Sequence, residues 1–278
     1  MVEIEGKELK SFKFSGGEIQ VKIPLEKATV NVKATLRSSD DILELIMVSE
    51  AINGYGMIIN NLEIPYLPYA RQDRRCDIGE AFSLKVMAKI INDIGAKKVI
   101  VWDVHSGISE ALINNLENVS QSDLMGNCIE LERMLGDKEY SICSPDAGAL
   151  KKIHEVQKIF SIPNDRLITA LKERDVTTGQ ITNTEVYHSH PFVLGSVVII
   201  DDICDGGRTF IELAKKLRNE GFSNIILYVT HGIFSKGFDC FDGLIDHIYT
   251  TDSFCTKKHK SLTTIRRVKC IETDQVQL

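Results

Sequence analysis

The sequence lacks the features that mark a secreted, metal-stapled or membrane-bound chain. Its seven cysteines, Cys76, Cys128, Cys143, Cys204, Cys240, Cys255 and Cys270, are scattered, odd in number and never spaced as CxxC, which argues against a structural zinc site or a disulfide framework. No apolar run approaches membrane-spanning length, and the opening Met1-Val2-Glu3-Ile4-Glu5 lacks the cationic-then-apolar order of a secretory signal. Positive charge is also scarce: 33 Lys and Arg against 39 Asp and Glu leave a net charge of -6, so the basic face of a general nucleic-acid binder is not expected. Internal repeats and low-complexity tracts are missing as well. These absences predict a soluble, cytoplasmic protein with no nucleic-acid and no membrane partner. A small anionic ligand is still compatible, because local donors and metal ions hold such a ligand whatever the overall charge.

What is present fits a globular enzyme. A chain of 278 residues that is 43% hydrophobic can bury one large or two modest cores. Short β-branched runs alternate with segments of helical period, the pattern of an α/β fold. Ile42, Leu45, Ile46 and Ser49 share one face of a helix expected over residues 40–53, and Phe82, Val86, Ile90 and Ile94 do so over 80–94. Buried parallel strands are expected at 62–67, 98–102, 140–143, 196–201 and 224–229. The polar stretch 113–123 predicts a seam between two halves, placed as domains 1–120 and 121–278. Residues 172–190 have few large apolar side chains and no clear period, which predicts a mobile functional loop.

The strongest chemical signal runs from Val197 to Thr209. An apolar strand, Val197-Val198-Ile199-Ile200, ends in Asp201-Asp202, and Asp205-Gly206-Gly207-Arg208-Thr209 then opens a helix-compatible segment. Free amides at a helix start can point at phosphate oxygens, glycines let the backbone approach, and the Thr209 hydroxyl adds a donor. Asp201 and Asp202 suit ribose hydroxyls. The competing reading is an ordinary strand-turn-helix with a surface acidic pair.

This segment resembles the phosphoribosyl-pyrophosphate-binding motif of type I phosphoribosyltransferases, with Gly206 where a threonine is usual. Pro68-Tyr69-Ala70-Arg71-Gln72-Asp73-Arg74 is similar to the nucleotide-binding stretch of ribose-phosphate pyrophosphokinases, which base-transferring enzymes generally do not carry. Val101-Trp102-Asp103-Val104-His105-Ser106-Gly107 and Ser144-Pro145-Asp146-Ala147-Gly148 resemble the two metal-site segments of that family, and Lys172-Glu173-Arg174 resembles its catalytic loop. The resemblance implies two phosphoribosyltransferase-like domains, each a mainly parallel sheet flanked by helices, the first binding ATP and the second ribose 5-phosphate. It implies ATP contacts from Phe14, Glu18, Arg71 and Gln72, and ribose 5-phosphate contacts from Asp201, Asp202, Asp205, Gly206, Gly207, Arg208 and Thr209. It further implies Mg2+ beside His105 and Asp146, catalysis by Lys172 and Arg174, and a dimer-based homo-oligomer, up to a hexamer. The activity implied is pyrophosphoryl transfer from MgATP to ribose 5-phosphate.

Other positions depart from the family or have plainer explanations. Phe14-Ser15-Gly16-Gly17-Glu18 looks like a segment that a neighbouring subunit contributes to the adenine pocket, with Gly16 in place of the usual Asp, and only a short leader precedes it. Cys76 and Gly79 stand where charged residues are common, and Ala81 where Pro is common. Asp146 could serve merely as a helix cap. His188 and His190 read as a loop pair, and Lys257-Lys258-His259-Lys260 as a solvated basic turn. Two alternative functions share part of the pattern: a phosphoribosyltransferase that consumes phosphoribosyl pyrophosphate, and a non-catalytic regulatory subunit. The first leaves the Arg71 and His105 segments unexplained, and the second predicts losses at His105, Asp146, Lys172 or Arg174, all of which are retained.

Overall fold

The computed structural model of the chain describes residues 1–24, 27–174, 181–188 and 195–266, and for residues 172–174, 181–184 and 188 the backbone alone. The chain divides into two compact units, Met1–Gln121 and Ser122–Leu278.

The first unit contains β1 (Val2–Ile4), β2 (Lys7–Glu8), β3 (Phe12–Lys13), β4 (Ile19–Gln20), β5 (Thr29–Ala34), α1 (Ser39–Gly54), β6 (Ile58–Ile64), α2 (Ser83–Ile94), β7 (Lys98–Trp102), α3 (Ile108–Leu112) and β8 (Leu116–Val119). Its sheet runs β2-β1-β5-β6-β7-β8, with β5 to β8 parallel and β1 antiparallel to both neighbours. The parallel strands advance in one direction, and right-handed crossovers then deliver their helices to one face. Burial agrees: Val30, Val32 and Ala34 of β5 pack with Leu45, Val48 and Ile52 of α1 and Leu84, Met87 and Ile91 of α2, while Thr29 and Asn31 stay exposed. A capping box starts α1, Ser38 Oγ accepting from the Asp41 amide at 3.2 Å while the Asp41 carboxylate accepts from the Ser38 amide at 2.8 Å.

The second unit opens with α4 (Gln121–Met125), whose first residue is the last of the first unit. It contains α5 (Ile129–Gly136), β9 (Tyr140–Ser144), α6 (Leu150–Ile159), β10 (Leu167–Arg174), β11 (Ile181–His188), β12 (Ser196–Cys204), α7 (Arg208–Asn219), β13 (Asn224–Gly232), β14 (His247–Thr251) and β15 (Leu262–Ile265). Its sheet runs β11-β10-β9-β12-β13-β14-β15, parallel except for β11. After β9 the chain moves one way along the sheet, to β10, and after β12 it moves the other way, to β13. Opposite directions place α6 and α7 on opposite faces. Val197 and Ile199 accordingly pack with Phe210, Leu213 and Leu217 of α7, whereas Val198 and Ile200 pack with Ile153 and Val156 of α6.

Two expectations need correction. The strand expected at 62–67 begins at Ile58, because Asn60 and Asn61 imitate a turn, and it stops before Pro65, which has no amide to donate. The division after Gln121 falls within the polar stretch 113–123, which also holds β8, a parallel edge strand. Residues 167–174 and 181–188 form an antiparallel hairpin, Ile168 opposite His188 and Lys172 opposite Thr184, where an aperiodic loop was expected over 172–190. Its outer strand carries polar residues that mask the two-residue period. Residues 175–180 and 189–190 of that stretch lie outside the described residues.

Candidate functional site

In the second unit, the switch of direction between β9 and β12 leaves a crevice at the C-terminal ends of these strands, the usual ligand position in an open parallel sheet. Register brings the two loops there together. Ile199 pairs with Cys143, so Asp201 and Pro145 each lie two residues beyond a paired position, and Asp146 follows at once. Asp202 is 6% exposed and Asp201 half-buried, which sets aside the surface acidic pair. Burial pushes the Asp201 carboxyl well above the ordinary carboxylate range, and the charges of Asp202 and Asp146 push it the same way. The Asp202 amide donates to Asp201 Oδ1 at 2.9 Å. Lys152 of α6 supplies the counter-charge, its Nζ donating to Asp202 Oδ2 at 3.0 Å. Sequence reasoning missed Lys152, whose partner lies 50 residues away in the chain.

Asp146 takes up the capping role as well: its Oδ1 accepts from the Gly148 and Ala149 amides at 3.0 and 3.2 Å, and Ser144 Oγ donates to its carbonyl at 2.7 Å. The carboxylate is thereby fixed at the strand end. Among the described residues no group of three or more His, Cys, Asp or Glu side chains forms a metal cage. Magnesium does not require one, since one or two carboxylates with phosphate oxygens and water complete its shell. The excess negative charge around Asp146 and Asp201 fits such a hard cation.

Beyond Asp205 the chain turns through Gly206 to Gly207, which caps α7 in the left-handed conformation at φ 76°. A Cβ on Gly207 would lie 2.6 Å from Phe241 Cζ, so both backbone angle and packing require glycine. Arg208 is exposed and Thr209 half-buried in the first turn of α7. The α7 amides, these two side chains and Asp201 and Asp202 thus border one crevice.

In the first unit, residues 68–74 follow β6. Tyr69 adopts φ 63°, the Gln72 amide donates to the Tyr69 carbonyl at 2.9 Å, and the Gln72 carbonyl accepts from the Leu84 amide at 3.3 Å. Arg71 and Gln72 are exposed on this turn while Asp73 is buried. His105 is exposed just past the end of β7. The turn before it is strained and clamped: buried Asp103 adopts φ 43°, its Oδ2 accepts from Gln121 Nε2 at 3.1 Å, and the Val104 amide donates to Asn118 Oδ1 at 3.1 Å. Phe14 and Glu18 close the β3–β4 hairpin, the Phe14 amide donating to the Glu18 carbonyl at 2.7 Å, and the half-exposed Phe14 ring lies edge-on to Phe12 at 5.1 Å.

Lys172 and Arg174 fall in β10, but their side chains lie outside the described residues, as do the side chains of His188 and His190. The basic turn is not simply solvated. Lys257 Nζ donates to the Phe234 carbonyl at 2.8 Å, and the His259 ring stacks on Phe238 at 5.0 Å.

Residues 1–95 match the family model described as the N-terminal domain of ribose phosphate pyrophosphokinase. A ribose-phosphate pyrophosphokinase from Mycoplasmopsis pulmonis is 30% identical over 237 residues, 81% of this chain and 70% of that protein. Another from Ureaplasma parvum is 28% identical over 249 residues, 85% and 71% of the two chains. The crystal structure of phosphoribosylpyrophosphate synthetase from Mycobacterium smegmatis shares the fold, with a TM-score of 0.78 at 20% identity over 93% of this chain and 86% of that one. Two parallel α/β units, one with an acidic strand end leading into a glycine-opened helix, define a protein of phosphoribosyltransferase-like domains. This chain belongs to the ribose-phosphate pyrophosphokinase family.

Proposed function

We propose that this chain is a ribose-phosphate pyrophosphokinase, transferring the pyrophosphoryl group of MgATP to the 1-hydroxyl of ribose 5-phosphate and releasing AMP and phosphoribosyl pyrophosphate. The 1-hydroxyl oxygen attacks the β-phosphorus of ATP as the bond from that phosphorus to the AMP oxygen breaks. The hydroxyl proton passes to solvent or a nearby base, and no covalent enzyme intermediate is required. The observation that carries the reading is the meeting of Asp146, Asp201 and Asp202 with the glycine-opened start of α7, in a chain with this family membership.

The residue roles are part of the proposal. The turn 205–209 holds the sugar phosphate through α7 amides and the Thr209 hydroxyl, and Asp201 and Asp202 orient the 2- and 3-hydroxyls. Arg71 and Gln72 take the ATP phosphates and base, with Phe14 and Glu18 completing the adenine pocket of a neighbouring subunit in a dimer-based homo-oligomer. Asp146 and His105 are each assigned to Mg2+ binding, and the ion when bound would supply positive charge to the phosphate oxygens. Asp146 suits that ion chemically, whereas His105 rests on the resemblance alone. Lys172 and Arg174 stabilise charge developing on the transferred group, where positioning and electrostatics carry most of the acceleration. No described helix is long and apolar enough to cross a membrane.

The test incubates purified protein with ribose 5-phosphate, Mg2+ and a panel of nucleoside triphosphates and separates the products. Stoichiometric AMP and phosphoribosyl pyrophosphate are expected. Base-dependent pyrophosphate release would instead identify a phosphoribosyltransferase, and silence with intact substrate binding a regulatory subunit.

A further inference from the structure

The loop after β13 is strapped to the phosphate turn along its backbone. The Ile233 and Phe234 amides both donate to the Cys204 carbonyl, at 2.8 and 3.1 Å, and the Ser235 amide donates to the Asp205 carbonyl at 3.1 Å. Lys257 Nζ holds the same loop through the Phe234 carbonyl at 2.8 Å. These bonds fix the backbone one residue before Lys236.

Lys236 uses that position in a particular way. Gly206 has no side chain, and a Cβ built on it would meet Lys236 Cε at 3.7 Å and Cδ at 3.8 Å. The lysine stem therefore lies over the site that a side chain at 206 would claim, and its ammonium, one bond past Cε, is carried to the phosphate turn. Lys236 is exposed, and among the described residues its Nζ makes no hydrogen bond or ion pair, whereas Lys152 and Lys257 are both committed to protein acceptors.

Charge balance gives this placement a purpose. The crevice holds Asp146, Asp201, Asp202 and Asp205 near the turn, with Lys152 spent on Asp202. A phosphate monoester brings roughly −1.5 to −2 more charge at neutral pH. Backbone amides and the Thr209 hydroxyl donate hydrogen bonds but carry no full positive charge, Gly206 contributes no side-chain donor, and Arg208 is the one cationic side chain within the turn itself.

We propose that Lys236 is a ligand of the 5-phosphate of ribose 5-phosphate, reaching over Gly206 to add a second cationic donor to the turn that carries Arg208. This rests on the reading of the 205–209 turn as the sugar-phosphate cradle. It makes Lys236 a determinant of phosphorylated over unphosphorylated sugar, separate from the groups that act on the transferred pyrophosphoryl.

The experiment measures Kd for ribose 5-phosphate by calorimetry, and KM for both substrates with kcat, in wild type, Lys236→Ala, Lys236→Gln, Thr209→Ala and the distant charge control Lys89→Ala. Loss of one charge-assisted hydrogen bond is expected to weaken ribose 5-phosphate binding about tenfold or more in both Lys236 variants, with kcat and the KM for ATP within about twofold of wild type. Lys89→Ala should bind as wild type does, which separates contact from net charge. Adding Gly206→Thr to Lys236→Ala should recover part of the affinity, since a Cβ there meets only ordinary contacts. If both Lys236 variants, folded by circular dichroism, bind ribose 5-phosphate normally while Thr209→Ala weakens it, Lys236 is excluded and the cradle stands. If Thr209→Ala is also without effect, the cradle itself is misassigned. A fall in kcat with unchanged affinity would likewise overturn the inference.

Discussion

Lys152 Nζ on α6 lies 3.0 Å from Asp202 Oδ2 at the end of β12, and this ion pair is the positive charge built into an otherwise acidic strand end. Its side chains are 23% and 9% exposed, so solvent screens it only in part. Lys152→Met should destabilise the fold by about 1–3 kcal/mol, because it removes a charged donor from Asp202 beside Asp201. Asp202→Asn in the same background should return part of that loss by removing the charge that Lys152 balanced. Urea unfolding of the single and double variants gives the coupling; strictly additive effects would show that the pair does not act as a unit.

Gly207 and Phe241 set a second test. An alanine at 207 must hold φ near 76° and place its Cβ 2.6 Å from the Phe241 ring. The backbone cost and the overpacking together predict a loss of about 2–4 kcal/mol for Gly207→Ala. Phe241→Leu added to it should relieve the clash but not the strained dihedral, so only partial recovery is expected in thermal melts.

His247 predicts a pH dependence. Its Nε2 is 2.8 Å from Thr263 Oγ1 and its ring lies 4.8 Å from that of Tyr249. Burial lowers its proton affinity below the ordinary value of 6.5, a change that Glu130 opposes. Below that value the unfolded chain binds more protons than the folded one, so stability rises with pH in this window and falls as the solution is acidified from neutrality. His247→Gln should flatten that part of the profile. Urea midpoints at several pH values between 5 and 7 decide it; parallel profiles would assign the slope to other groups.

Lys172→Ala should reduce turnover roughly a hundredfold or more, as expected when a cation aimed at developing phosphate charge is removed. Binding of ribose 5-phosphate, measured by calorimetry, should change little because that contact belongs to the 205–209 turn. Rapid-quench measurement of AMP formation with both substrates saturating reads the chemical step. Unchanged rates would remove Lys172 from the mechanism.

The acidic strand end was legible because four consecutive apolar residues, Val197 to Ile200, can be buried on both faces only inside a covered parallel sheet; the strand runs past the two carboxylates to Cys204, three residues further than the expected end at 201. The same logic marked β9 and β7. The start of β6 was not legible, since Asn60 and Asn61 have turn-forming side chains, and only the parallel pairing with β7, which begins at Asn61, marks the segment as strand. Nor was the hairpin of β10 and β11, whose outer strand is polar. Lys152 and Lys236 were hidden for another reason. Each acts on a partner far away in sequence, Lys152 on an aspartate 50 residues on, and no local pattern announces such a meeting.

The opposite departures of chain after β9 and β12 have a mechanical consequence. Their loops part at the sheet's rim, so a guest molecule can settle between them without any strand shifting, and the sandwiched layers beneath need not breathe to admit it. Recognition can then be retuned by exchanging a few rim side chains while the framework stays as it is.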